Sequence, residues 1–268
     1  MGSESQISRE RFFTSLSRIG VHPGTIDHAW PLVEGEAIGL LLYGSWARNE
    51  GKEHSDIDLL VLSDARGGQH HSESVSVSFY SSTQLEGASR TLFGMHLARD
   101  GLILHDTDRQ LEVILENLEP PNPTTLLQRV RHFTMILDVT ESDKGAYTPG
   151  LTQVARYLLR TAIYVLALQE GRPCFSVEDL AIRFRQPELV TLLSSHPSVY
   201  PSPTKAVLDD LTRRLAVAVG QAPKNPYESL HGLIVGAWVD DPDLANLATL
   251  ALGVDQSLPY SEIPKVVL

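Results

Sequence analysis

The stretch A37-IGLLLYGSWARNEGKEHSDIDLLVLS-D64 decides how the rest of the chain is read. Ile38 to Tyr43 is an almost wholly apolar run, short enough for a buried strand. Gly44-Ser45 ends it, and Trp46-Ala47-Arg48 begins a short helix. Glycine permits close backbone approach, and the unpaired N–H groups of a helix start suit a phosphate. After a ten-residue gap, Asp56-Ile57-Asp58 leads into the apolar run Leu59-Leu60-Val61-Leu62, a second strand. Asp56 and Asp58 are two apart at a strand start, so their carboxylates share a face while Ile57 points into apolar packing. Adjacent carboxylates repel, and one of them tends to keep a proton. A hard divalent cation removes that conflict, and Mg²⁺ prefers a few carboxylates completed by phosphate oxygens and water. Asp-x-Asp alone is common at turns. Its pairing with a glycine–serine bend between two strands points to a site for a metal–nucleotide complex.

These residues resemble a known family. Gly44-Ser45, ten residues, then Asp56-x-Asp58 is similar to the signature of the DNA polymerase beta-type nucleotidyltransferases. The fuller pattern Gly44, Ser45, Ala47, Arg48, Ser55, Asp56, Asp58 and Leu59 resembles the small bacterial branch, which holds the aminoglycoside and minimal nucleotidyltransferases. The motif covers about a tenth of the chain; it is specific for the superfamily and weak on substrate. The resemblance implies an α+β fold, with a polymerase beta-like core of mixed sheet and flanking helices (residues 1–118) and an all-helical substrate-binding domain (residues 124–268). It implies transfer of a nucleoside monophosphate, with AMP from ATP the leading case, to an acceptor hydroxyl. Asp56 and Asp58 would be the catalytic and metal-holding carboxylates, with Mg²⁺ as cofactor. Gly44, Ser45, Arg48 and Ser55 would contact the nucleotide.

The family carries a third carboxylate on a following strand. Here the strand pattern of Ser74 to Ser81 (SVSVSFYS) alternates Val75, Val77 and Phe79 with Ser74, Ser76 and Ser78, which reads as a half-buried strand with a polar face. The third position falls on Ser76, a poor base and a poor Mg²⁺ ligand. Three readings stay open: another carboxylate substitutes, with Glu73 nearest; two carboxylates suffice; or the nucleotide binds while transfer is slow or lost. A nucleotide-binding or regulatory module is therefore the competing class to an enzyme.

The 268 residues are 42% hydrophobic and 21% charged, which describes an ordinary globular chain of one large or two modest domains. Lys and Arg number 22 against 33 Asp and Glu, a net charge of −11. Such a surface repels phosphate backbones, which argues against nonspecific nucleic-acid binding. It favours a small cationic acceptor of the aminoglycoside kind over a protein or RNA acceptor. Cys174 is the only cysteine, so the chain has no internal disulfide and no Cys-rich zinc site. No apolar signal core opens the sequence and no run approaches the roughly 20 residues of a bilayer span, so a cytoplasmic protein without membrane contact is expected. No phosphate-loop lysine motif, serine-hydrolase elbow or zinc-protease helix occurs. Oligomeric state is not encoded in any pattern found.

Around the central stretch, Ser8–Ile19 and Thr25–Val33 read as helices and 65–73 as a polar loop. In that loop His70 and His71, adjacent and with no obvious third ligand, read as solvated. Thr83–Asp100 reads as one helix with His96 packed in its apolar set, Leu102–Asp106 as a strand and Leu111–Leu118 as a helix. Asp100 and Asp106 are expected to be structural. Glu119-Pro120-Pro121-Asn122-Pro123 is the linker. Beyond it, Thr125–Val139 reads as a helix, Thr140–Gly150 as a loop and Leu151–Gln169 as the central helix of a bundle, its apolar face wide. On that helix Arg156 and Arg160 are i,i+4 and project together. Guanidiniums facing a nucleotide cleft could neutralise a triphosphate, and pairing with Glu170, Glu178 or Asp179 is the alternative. Helical segments are expected at 176–183, 188–194, 204–219 and 240–252, with 223–238 ambiguous and the tail after Gly253 extended.

Overall fold

A computed structural model describes residues 7–35, 37–52, 55–72, 74–194 and 199–253. The chain divides into two compact units, Met1–Pro121 and Asn122–Leu268, and the division falls inside the proline-rich stretch that begins at Glu119.

The N-terminal unit opens with two helices, α1 (Arg9–Arg18) and α2 (Pro23–Val33). Ser8 starts α1 by accepting from the Arg11 amide, which satisfies one of the orphan donors of a helix start. Pro23 sits at the first position of α2, where its missing N–H costs nothing. Then come β1 (Gly39–Tyr43), the one-turn α3 (Gly44–Ala47), β2 (Ile57–Leu62), β3 (Gly68–Ser72), β4 (Val75–Tyr80), α4 (Ser82–Glu86), α5 (Leu92–Asp100), β5 (Leu102–Asp106) and α6 (Gln110–Asn117). The five strands form one mixed sheet in the order β3-β4-β2-β1-β5. Only β2 and β4 run parallel, in the register Ile57 to Val75 and Asp58 to Ser76. A parallel pair needs a crossover of about a dozen residues, and residues 63–74 supply it by way of the outer strand β3.

The alternation of β2 and β4 sorts the core into two layers. Ile57, Leu59, Val61, Val75, Val77 and Phe79 pack with α1 and α2 through Phe12, Leu16, Ile26 and Ala29. Leu60 and Leu62 face the other way, with Leu41, Tyr43, Phe93, Leu97 and Leu111. Asp58 shares the parity of Leu60 and therefore belongs to this second face.

Three readings of this unit are corrected. Residues 68–72 are not loop but β3, paired antiparallel with β4; its polar side chains suit an exposed edge strand, and partner hydrogen bonds outweigh the unfavourable composition. The serine face of β4 is not half exposed, because Ser76 and Ser78 are buried where β4 runs between β2 and β3. The single helix 83–100 is two. Ser81 and Gln84 form a reciprocal capping box on α4, Arg90 adopts a left-handed turn at φ +64°, and Thr91 caps α5 through the Gly94 amide. A second cap inside the segment is what breaks the helix.

The C-terminal unit is helical: α7 (Pro123–Phe133), a 3₁₀ turn (Thr134–Leu137), α8 (Glu141–Gln169), α9 (Val177–Arg183), α10 (Leu189–Leu192), α11 (Lys205–Val219), α12 (Leu230–Ala237) and α13 (Pro242–Ala251). Its core is centred on α8, with Val154, Leu158 and Ala162 fully buried against residues of α7, α11 and α13 such as Val130, Leu211 and Ala248. The expected helix 125–139 tightens into the 3₁₀ turn after Phe133. The expected loop 140–150 is instead the start of α8, capped by Thr140; Tyr147 breaks the helical pattern (φ −116°, ψ 20°) two residues before Pro149. Proline deletes one backbone donor there and kinks the helix without ending it. Segment 223–238 is helical from Leu230. The tail after Gly253 lies outside the described residues.

Candidate active site

Gly44 closes the approach between β1 and β2. Tyr43 pairs with Asp58 in the sheet register, and the chain then turns sharply at Gly44, whose φ is +77°. A β-carbon on Gly44 would lie 2.5 Å from Asp58 Oδ2. The carboxylate therefore occupies the space that any side chain at position 44 would need. The left-handed φ and this close approach both require glycine.

Behind the turn stands Trp46, which the motif reading passed over. Its indole Nε1 donates to the Ser55 carbonyl at 3.1 Å. Its ring lies so close over Gly51 that a β-carbon there would overlap the indole. Trp46 thus ties the turn at Gly44-Ser45 to the entry of β2. Ser55 closes a small turn of its own: its hydroxyl accepts from the Lys52 amide at 2.9 Å, and its amide donates to the Lys52 carbonyl at 2.8 Å. Ile57 is fully buried between Asp56 and Asp58, so the two acids lie on one side of the extended chain, Asp56 exposed and Asp58 half-buried.

Arg48 follows α3 and is held from two sides. Its Nε donates to Glu50 at 2.9 Å, and its Nη1 lies 3.1 Å from His96 Nε2. A guanidinium can only donate, so this contact requires the unprotonated nitrogen of a neutral imidazole. The His96 ring also meets Tyr43 edge-on at 6.1 Å, and its Nε2 is 4.0 Å from Asp100 Oδ2. Burial pushes the Asp100 carboxyl above its ordinary range, against the opposing pull of Arg99 and Arg48. His96 is thus packed within its helix's apolar set and engaged with Arg48 as well. Asp106 accepts from the Leu111 and Glu112 amides at 2.9 and 2.8 Å, a structural cap for α6.

On the other side of Asp58, the register sets Ser76 opposite it. Ser76 is 1% exposed, and its hydroxyl accepts from Gln69 Nε2 at 3.4 Å. Glu73, the nearest alternative carboxylate, lies outside the described residues. Arg156 and Arg160 belong to the C-terminal unit, on α8, at 5% and 8% exposure. Arg156 donates to the Leu192 carbonyl at 2.7 Å and stacks 4.0 Å over the Tyr200 ring.

Two hard carboxylates on one face, one of them facing a glycine-only bend, suit Mg²⁺ in donor type. Among the described residues no three His, Cys, Asp or Glu side chains converge as a self-sufficient metal cage.

Residues 32–118 match the family model described as nucleotidyltransferase domain. The match begins within α2 and ends just after α6, so it spans the whole sheet. It supports the polymerase beta-like superfamily and, with it, a transferase that takes a nucleoside triphosphate as substrate. No curated protein matches the chain. No helix among the described residues is long and apolar enough to cross a membrane.

Proposed function

We propose that the chain transfers AMP from Mg·ATP to a hydroxyl of a small cationic acceptor of the aminoglycoside kind, as in the small bacterial branch of the superfamily, and works in the cytoplasm. The approach of Asp58 to the bend at Gly44 carries this reading, because it puts a carboxylate oxygen beside a turn that has no side chain of its own. Asp56 and Asp58 would hold Mg²⁺, which when bound screens the phosphate charge and steadies the leaving pyrophosphate. Gly44 and Ser45 offer backbone to the phosphates. Ser55 and the Trp46 indole keep the entry of β2 in place, and Arg48, braced by Glu50 and His96, supplies positive charge at the turn. The helical unit would receive the acceptor.

Pyrophosphate release from Mg·ATP, with and without candidate acceptors, tests the proposal. Release that disappears in Asp58→Ala supports transfer. Tight ATP binding with no release for any acceptor supports the competing reading, a nucleotide-binding module, which Ser76 favours by leaving the third carboxylate position without an acid. Arg156 and Arg160 are proposed triphosphate contacts. For Arg160→Met the proposal expects the KM for ATP to rise about tenfold, the loss of one charge-assisted contact worth roughly 1.4 kcal/mol. A lowered melting temperature with KM unchanged would assign Arg160 to the interior of the helical unit instead.

A further inference from the structure

The reaction proposed above needs a group to take the acceptor's proton, and Ser76 cannot be it. An alcohol titrates far above neutral pH, whereas an efficient base titrates near the operating pH. Ser76 is also covered, with Gln69 on its hydroxyl. The sheet register supplies another candidate in the same row. Asp58 on β2 is opposite Ser76 on β4, and Ser76 is opposite His71 on β3. Residues directly opposite one another share a face, so Asp58, Ser76 and His71 form one line across the sheet. The neighbouring histidine confirms the parity: His70 packs edge-on against Phe79, 5.7 Å between ring centres, and Phe79 belongs to the opposite layer with Val75 and Val77.

Strands lie about 4.8 Å apart, so the backbone of His71 stands roughly 10 Å from that of Asp58, and the space between them holds the Ser76 hydroxyl with the Gln69 amide on it. An imidazole is long enough to lean into that gap, and unlike His96 it is not engaged with Arg48. His71 is exposed, so a proton it receives can pass to solvent. Histidine is also the side chain whose ordinary pKa lies nearest neutrality.

We propose that His71 is the general base of this domain, a catalytic residue that stands in for the carboxylate missing at Ser76. The role rests on the nucleotidyl-transfer reading. The acceptor O–H gives its proton to an imidazole nitrogen while the acceptor oxygen forms a bond to the α-phosphorus. The bond from that phosphorus to the bridging oxygen breaks, and pyrophosphate leaves with the electron pair. The imidazolium then releases the proton to water, which restores the starting state.

The test uses the full chain, Mg·ATP, and water and kanamycin as hydroxyl probes. His71→Ala is expected to lower kcat by about 10²–10⁴-fold, with the KM for ATP within twofold of the parent. Added imidazole is expected to restore part of that rate in His71→Ala and none in Asp58→Asn. Independently of turnover, the His71 ring signals in a ¹H–¹³C NMR spectrum are expected to shift when Mg²⁺ and a non-hydrolysable α,β-methylene ATP analogue are added. If His71→Ala turns over like the parent while Asp58→Asn is dead, transfer stands and the role of His71 is overturned. An unmoved ring signal also overturns it. A parent that releases no pyrophosphate with either probe overturns the inference together with the reading beneath it.

Discussion

Gly44→Ala isolates the contact on which the site depends. Two costs arise in the folded chain. A non-glycine residue at φ +77° pays roughly 1–2 kcal/mol for left-handed backbone. The new methyl would also stand 2.5 Å from Asp58 Oδ2, with Asp58 Cγ and Cβ at 3.4 and 3.5 Å, so the carboxylate must swing away or the turn must open. The backbone cost alone should lower the melting temperature of the N-terminal unit by about 3–6 °C. The displaced carboxylate should lower the pyrophosphate-release rate by about a hundredfold or more, since an ångström of misplacement costs about that much. A double-mutant cycle separates the two effects. In an Asp58→Ala background the carboxylate is gone, so Gly44→Ala should cost only its backbone share, leaving a coupling of about 0.5–3 kcal/mol between the positions. Chemical denaturation of the four proteins measures that coupling, and the release assay reads the parent and Gly44→Ala. Additive stabilities, or a Gly44→Ala protein with parental release, would show that Asp58 does not occupy the space in front of Gly44.

Three further outcomes are expected. Trp46→Phe keeps the ring over Gly51 but deletes the donor to Ser55; the ~1 kcal/mol of one hydrogen bond, if it falls on the placement of Asp56, lowers the release rate about fivefold, read alongside the melting curve. His105 is buried and its pKa lies below the ordinary 6.5, first because of burial and further because of Arg11, with Asp106 opposing. Below about pH 6.5 the unfolded chain binds a proton that the folded chain refuses, so stability falls as the pH drops. His105→Gln should flatten the melting temperature between about pH 7 and pH 5. Leu158→Ala, at a fully buried position on α8, should cost the helical unit about 2–5 kcal/mol, seen as an earlier melting transition.

Much of the local geometry of the candidate site was legible because its signals are local. Glycine after an apolar strand announces a left-handed turn, and Asp56 and Asp58 announce a shared face through the spacing of two. The helix starts expected at 8, 176 and 204 were readable for the same reason, and the structure shows Ser8, Ser176 and Thr204 capping them. What the sequence hid depends on partners distant along the chain. Residues 68–72 carry no strand composition, and only β4 makes them a strand. The burial of Ser76 depends on strands to either side of it. Trp46 gave a signal, a large indole directly after a glycine–serine bend, but its hydrogen bond to Ser55 exists only because the intervening loop folds back. The polar composition of 140–150 concealed a helix whose stability comes from being the leading end of α8.

The hairpin of β3 and β4 also sets what variation this domain can tolerate. β3 is an outermost strand with polar, exposed residues at 68–71, while β1 and β2 are locked on both faces by apolar layers. Replacing Gln69 or His71 therefore leaves the core register untouched, whereas a one-residue slip in β2 would turn Asp58 and Leu59 to the wrong sides. The rim can therefore change residue by residue without unfolding the sheet, whatever chemistry such a change removes, whereas the strand that carries Asp58 admits no shift.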